Sequence, residues 1–435
     1  MSAITKPIIL DETGKIIADR LSAIASAIAT GGKATIYGFH IADAESDPST
    51  KVTYLMDAQG ATSAYMDYTN GKFNYGSWRD AFFMPRPCML KQDGTVDYYL
   101  DPNDYSKKED GTASDVANTA YNGNAMMEWN KIYMKIVPDS GDSASFSCYI
   151  SNMKVDDGFH AWAYIDSNGV EKEHFYTAIY NTKLVDGVGR SLSGQTGVMK
   201  SKDASEERTA LRANNASGEL KWDMESYAER MLITNLMVLI SKTTDSQTAF
   251  GKGLCDSGSE AINDAYTTGV HNTKGLFYGT NSGTANVYTN ANKIFGMENY
   301  FSFQWRRLQG LVIDNGVIKT KLCYGTADGS TASDYSFDAT GYVSGASLST
   351  LGDTNGQVNK VVADERGFVP YHAATPTADA STYYCDYHWI NLSDKRVPVV
   401  GGASSYGANC GAFCFVLDYV AGARRWNIGA ALSCR

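Results

Sequence analysis

GGASSYGANCGAFCFVLDYVAGARRWNIGAALSCR, residues 401–435, is the stretch whose reading decides the rest of this 435-residue chain. It holds no His, Glu or Lys, and its one Asp is Asp418. A sparse skeleton runs through it: Gly401, Gly402, Gly407, Gly411, Phe413, Leu417, Trp426, Ile428, Gly429 and Leu432. Between these stand residues of almost arbitrary chemistry: Ser405, Tyr406, Ala408, Cys410, Cys414, Val416, Asp418, Tyr419, Ala423, Arg424 and Arg425. Skeleton residues of this kind fix turns and a buried face, while the spacers are free to differ. Such a division suits a recognition surface better than an active site.

Trp426-Asn427-Ile428-Gly429-Ala430 closes a GG…GxN…G-x-F…L frame. The frame resembles the variable segment of C-type-lectin-fold proteins diversified by retroelements, many of which are phage tail receptor-binding proteins of the major tropism determinant kind. In that family the diversified positions come from Asn codons randomised at adenine, which never yield Lys, Glu, Gln, Met or Trp. The segment lacks all five apart from the skeleton residue Trp426. The resemblance implies one exposed ligand-binding face made of Ser405, Tyr406, Ala408, Cys414, Val416, Asp418, Tyr419, Ala423, Arg424, Arg425 and Ala431. Tyr406, Tyr419 and the Arg424-Arg425 pair are its apt anchors, because Tyr gives contact area at low entropy cost and Arg gives planar, multidentate hydrogen bonding. Tyr383, Tyr384, Tyr387, His388 and Trp389 either border this face or form a packed strand.

Phe295-Gly-Met-Glu-Asn299 and Trp305 resemble the core motif of formylglycine-generating-type C-type lectin domains. With Trp222, the Lys242–Gly251 run and the carboxyl-terminal frame, the resemblance covers roughly residues 121–435. For the chain as a whole an α+β, β-rich fold in three parts is expected, the resemblance supplying the last of them. Residues 1–33 form a helical attachment and oligomerisation segment, 34–120 a small β-rich connecting domain, and 121–435 a C-type-lectin-like domain.

Composition agrees with a surface protein. The 41 Gly and 28 Tyr point to a β-rich, loop-rich chain, while 9 Pro are too few for a Pro-rich stalk. A net charge of −10 with no basic stripe argues against nucleic acid as a partner. No apolar run approaches membrane-spanning length, and the amino terminus lacks a signal-peptide pattern. The expected location is the virion, with synthesis in a bacterial cytoplasm. The eight cysteines are scattered, without CxxC or zinc spacing. They read as buried free thiols, with a Cys385–Cys434 disulfide as the alternative.

Along the chain, Ile17, Leu21, Ile24 and Ile28 make a 4-3-4 seam over 15–29. That helix either packs on its own domain or joins a symmetric, trimeric bundle at the end attached to other tail proteins. Strands are expected at 34–40, 52–55, 73–78, 131–137, 146–150 and 160–165. The run 88–104 resembles a segment common in gut-phage tail proteins. A buried helix is expected over 224–240 with Asp223 as N-cap. A tight hairpin is expected at 310–319 around Asn315-Gly316. The Asp101–Ser106 run lacks the Gly and Glu of a calcium loop.

No nucleophile elbow, zinc helix or phosphate loop is present, and no cofactor or metal is implied. Cys410 and Cys414 invite comparison with the oxidising cysteines of formylglycine-generating enzymes, but fold does not carry function. The expected role is non-enzymatic host adhesion, binding a bacterial cell-surface receptor, protein or glycan, by avidity of several copies. A purely structural virion protein and a glycan-degrading depolymerase are the alternatives; the latter needs a close carboxylate pair.

Overall fold

The computed structural model describes residues 34–322 and 342–435. The expected 15–29 helix, the 1–33 segment and Cys323 lie outside the described residues. Strand outweighs helix throughout, as the β-rich expectation requires.

Two antiparallel sheets are built mainly from strands of the first half of the chain. In the four-stranded one, Val52–Met56, Ile36–Ile41, Asp142–Ser151 and Tyr133–Asp139 lie in that order. Its last strand alternates as its sequence demands, with Met134 and Ile136 buried beneath half-exposed Tyr133 and Lys135. The seven-stranded sheet runs Trp222–Met224, Leu432–Cys434, His174–Ala178, Gly123–Asn130, Arg86–Lys91, Val96–Asp101, Asp104–Lys108. Both sheets interleave strands from either side of residue 120. The boundary expected at 120/121 is therefore not a break between cores: Phe39 and Trp78 share one apolar cluster with Trp129, Leu236 and Phe413.

The central helix is Tyr227–Ser241, and each of its residues is buried. It starts later than expected. Ser226 is the N-cap and forms a reciprocal capping box with Glu229. Asp223 instead lies in the strand Trp222–Met224, where Arg208 and Arg212 pair with its carboxylate at 2.9 and 2.8 Å. The hairpin forms as expected, Leu311–Asp314 against Val317–Thr320, with Asn315 and Gly316 both at positive φ in a primed turn. Two other expected strands differ. Residues 160–165 hold isolated bridges at His160 and Ile165 around the 3₁₀ turn Trp162–Tyr164, and of the 73–78 region only Phe73 and Asn74, in the strand Lys72–Asn74, are strand.

A six-stranded mixed sheet positions the carboxyl-terminal segment. Its order is Gly356–Gln357, Tyr387–Ile390, Phe415–Leu417, Val399–Val400, Trp305–Arg307, Ile428–Gly429. The segment thus threads two sheets, since Leu432–Cys434 wedges between Trp222–Met224 and His174–Ala178. Arg435 then donates to Glu229 at 2.6 Å, tying the strand to the start of the central helix. The seven described cysteines are free and buried, Cys385 and Cys434 among them, so that disulfide is not formed. No described helix is long and apolar enough to cross a membrane.

Candidate recognition surface

Side chains alternate across a strand, so each strand of the six-stranded sheet divides its residues between two faces. His388, Phe415, Leu417 and Val400 turn inward: the three apolar ones join the main core, and His388 meets Asp353 at 2.9 Å in full burial. Trp389, Val416, Val399, Trp305 and Ile428 turn outward and form a separate cluster with Ala403 and Cys414. Register explains this grouping, because Trp389 and Val399 both pair with Val416, and Trp305 pairs with Ile428.

Two loops of the segment roof the outer face. Tyr406 lies edge-on to Trp305 at 5.1 Å and to Trp389 at 5.4 Å. Trp305 meets Trp389 at 5.9 Å, and Tyr387 lies against Trp389 at 4.3 Å. Such pairs each contribute about 0.5–1.5 kcal/mol beyond area burial. Tyr419 packs on the same cluster, and Tyr387, Trp389, Tyr406 and Tyr419 remain half-buried, each presenting part of its ring to solvent. Asp418 follows the strand directly and lies near Tyr406 and Tyr419, on both of whose hydroxyls its charge acts. Burial raises its carboxyl pKa, opposed by Arg396 and Arg425, and its Oδ1 is buried without a hydrogen-bond partner among the described residues.

The backbone beneath the rings is held at many points. Gly401 and Gly402 both adopt φ +91, and a Cβ on Gly402 would lie 2.3 Å from the Cys410 sulfur. In the second loop the Tyr419 carbonyl accepts from the Val397 N–H, Ala421 from Ala204, and Arg425 from Ser201. The Ala423 carbonyl accepts from Arg307, whose guanidinium is paired in full burial with Glu207 at 2.6 Å. Glycines and buried strands therefore support the loops, and a buried ion pair fixes their far side.

The eleven expected positions do not share one exposure. Ser405, Ala408, Arg424 and Arg425 are exposed, and Tyr406, Asp418, Tyr419 and Ala423 are half-buried. Cys414, Val416 and Ala431 are buried at 0, 4 and 8% exposure, which corrects their place on an open face. Cys414 and Val416 point the right way, yet Tyr406 and Trp389 cover them. Ala431 lies just before the strand Leu432–Cys434, and its carbonyl accepts from the Glu225 N–H. Arg424 turns away to Asp203 at 2.8 Å and Glu206 at 3.3 Å, where it holds the loop to the start of the helix Ala204–Arg212. Trp389, weighed from sequence as either border or packed strand, is both. Burial pushes the Cys410 and Cys414 thiols well above their usual range, so neither is a ready thiolate.

No family model matches the chain, and no curated protein sequence matches it. Among solved structures it is similar to the Major Tropism Determinant U1 Variant, at 13% identity and TM-score 0.28, over 80% of this chain and 72% of that one. The M1 Variant gives 13% and 0.28 over 81% and 72%, and the I1 Variant 12% and 0.27 over the same shares. At those TM-scores the likeness is distant, and the functional reading rests on the geometry above.

Proposed function

We propose that the chain is a phage tail receptor-binding protein, a virion component whose carboxyl-terminal, C-type-lectin-like region binds a bacterial cell-surface receptor. The observation that supports this reading is the half-buried ring set Tyr387, Trp389, Tyr406 and Tyr419, the first two on a sheet strand and the others on loops whose backbone is bonded to the body of the protein. Rigid aromatic groups with Arg at their margin make the strongest contacts in protein recognition, because little freedom is lost when they bind. In this proposal the exposed and half-buried spacers, Ser405, Tyr406, Ala408, Asp418, Tyr419, Ala423 and Arg425, vary between sibling phages by retroelement action, while Cys414, Val416 and Ala431 support them. The chain acts as a homotrimer attached to other tail proteins through residues 1–33, and it needs no cofactor.

Binding of the purified protein to a panel of bacterial strains tests the reading. Wild-type protein is expected to label at least one strain, and Tyr406→Ala is expected to weaken that labelling about tenfold or more. Equal labelling by both proteins on every strain that binds would sink the proposal.

A further inference from the structure

Beside the aromatic face lies a cleft of about 490 Å³. The 3₁₀ turn Gly407–Asn409 separates the two: Tyr406, just before it, faces the rings, whereas Ala408 lines the cleft. The walls come from chain segments far apart in sequence, with Tyr68 on one side, Asp245 and Lys252 on another, and Asn281 and Asp386 closing it.

Two of these groups, Lys252 and Asn281, have side chains that the fold leaves unused. Lys252 is bonded through its backbone N–H and carbonyl but its ammonium makes no ion pair among the described residues, and the Asn281 side chain makes no hydrogen bond among them. Asp245 caps the helix Ser246–Phe250 through Thr248, which leaves further lone pairs on its carboxylate. Tyr68 donates its hydroxyl to the Gln247 and Thr248 carbonyls at 2.9 Å, and this fixes the ring as one wall. At the floor, Asp386 is 1% exposed and accepts from the Phe413 N–H at 2.7 Å. Burial pushes its carboxyl well above the usual range, toward the neutral form.

The chemistry of the walls selects a ligand class. A phosphate or other strong anion would face Asp245, and a cation would face Lys252. A neutral molecule rich in hydroxyls can donate to Asp245, accept from Lys252 and use both ends of the Asn281 amide, with an apolar ring face against Tyr68. We propose that this cleft is a saccharide site, holding a neutral pyranose of a bacterial-surface glycan through Asp245, Lys252 and Asn281 with its C–H face on Tyr68. The site needs no metal and is separate from the aromatic face, so sugar binding is tested independently, and only the bacterial-surface source of the sugar rests on the adhesion reading. Ala408 at the rim is the one carboxyl-terminal spacer placed to tune which sugar enters.

The test uses purified full-length protein and saturation-transfer NMR with methyl glycosides of glucose, galactose, mannose, rhamnose and N-acetylglucosamine. Inorganic phosphate and n-butylammonium serve as charged probes. At least one glycoside is expected to bind at millimolar concentration and to lose about tenfold in affinity in Lys252→Ala, the effect of one charge-assisted hydrogen bond. Asn281→Ala, on an exposed turn, should give a smaller loss of several-fold and provides a readout if the lysine variant folds poorly. Tyr406→Ala should leave sugar binding unchanged. The proposal is overturned if no glycoside binds, if binding survives both cleft substitutions, or if phosphate or n-butylammonium binds better than every sugar. Loss of cell labelling in Tyr406→Ala with no glycoside binding would leave the adhesion reading in place and remove this one.

Discussion

The two faces of the six-stranded sheet carry the same strands and behave as different materials. The inner face packs Phe415, Leu417 and Val400 into the main core at essentially zero exposure. The outer face carries Trp305, Val399 and Val416, covered only by the segment's own loops and by rings that stay half in water. Substitutions on one face remove packing that nothing replaces. On the other they change what solvent, or a partner, meets. A chain can therefore vary its surface chemistry along one strand parity while the alternate parity holds the fold.

The largest expected effect lies on the inner face. Phe415→Ala should destabilise folding by about 3–5 kcal/mol, read as a shift in the denaturant midpoint. A loss below about 1 kcal/mol would erase the distinction between the faces. Next comes Tyr419→Ala on the outer face. Stability should change by less than about 1 kcal/mol while binding to a labelled strain weakens by about 2 kcal/mol, roughly thirtyfold. Comparable losses in both readouts would mean that Tyr419 is core and not contact.

Asp386 and Asp418 extend the comparison to charge, because both carboxyl pKa values are raised by burial, Asp386 the more. A carboxyl whose native pKa lies above its unfolded value binds its proton more tightly in the folded chain. Folding stability is then fullest below the unfolded pKa and falls as pH rises through it toward the native value. Asp386→Asn, which keeps an acceptor for the Phe413 N–H, should stabilise the protein at pH 8 relative to pH 4 by about 1 kcal/mol. Asp418→Asn should give less, since its side chain is half in water. Unfolding curves at the two pH values decide the order, and a larger effect from Asp418 would reverse it. Arg424→Ala should have the smallest effect: a slight fall in stability from an exposed ion pair that salt screens, with cell binding little changed. Abolished binding would make Arg424 a contact residue instead of a brace for its loop.

Local chemistry was legible in the sequence where it was self-sufficient. Asn315-Gly316 between β-branched flanks specifies its hairpin without help from the rest of the chain, and 131–137 alternates because one face of the strand is core. Asp223 misled because an acidic residue before an apolar run looks like a cap. The pattern Ser226-x-x-Glu229, three residues on, was the stronger signal. Residues 160–165 have the aromatic composition of a strand, yet tertiary contacts bend them into a turn.

In the candidate surface, the skeleton of glycines and apolar residues was readable, and so was the orientation of Val416 and Cys414. What covers them was not, because the rings above come from residues 387–389 and 406, brought together only by the parallel pairing of Tyr387–Ile390 with Phe415–Leu417. The unbroken apolar run Phe413–Leu417 did carry a hint: a strand without polar alternation is buried on both faces. The pairing of Arg424 with Asp203 spans 221 residues and leaves no trace in local sequence.

The most direct test of the account is hydroxyl-radical footprinting of the full-length protein, free and bound to cells of a strain it labels. Protection concentrated at Trp389, Tyr406 and Tyr419, with the exposed Met56 and Tyr65 unchanged, is the predicted result. Unaltered labelling of the three rings, with protection appearing elsewhere on the chain, would contradict the claim that the outer sheet face meets the receptor.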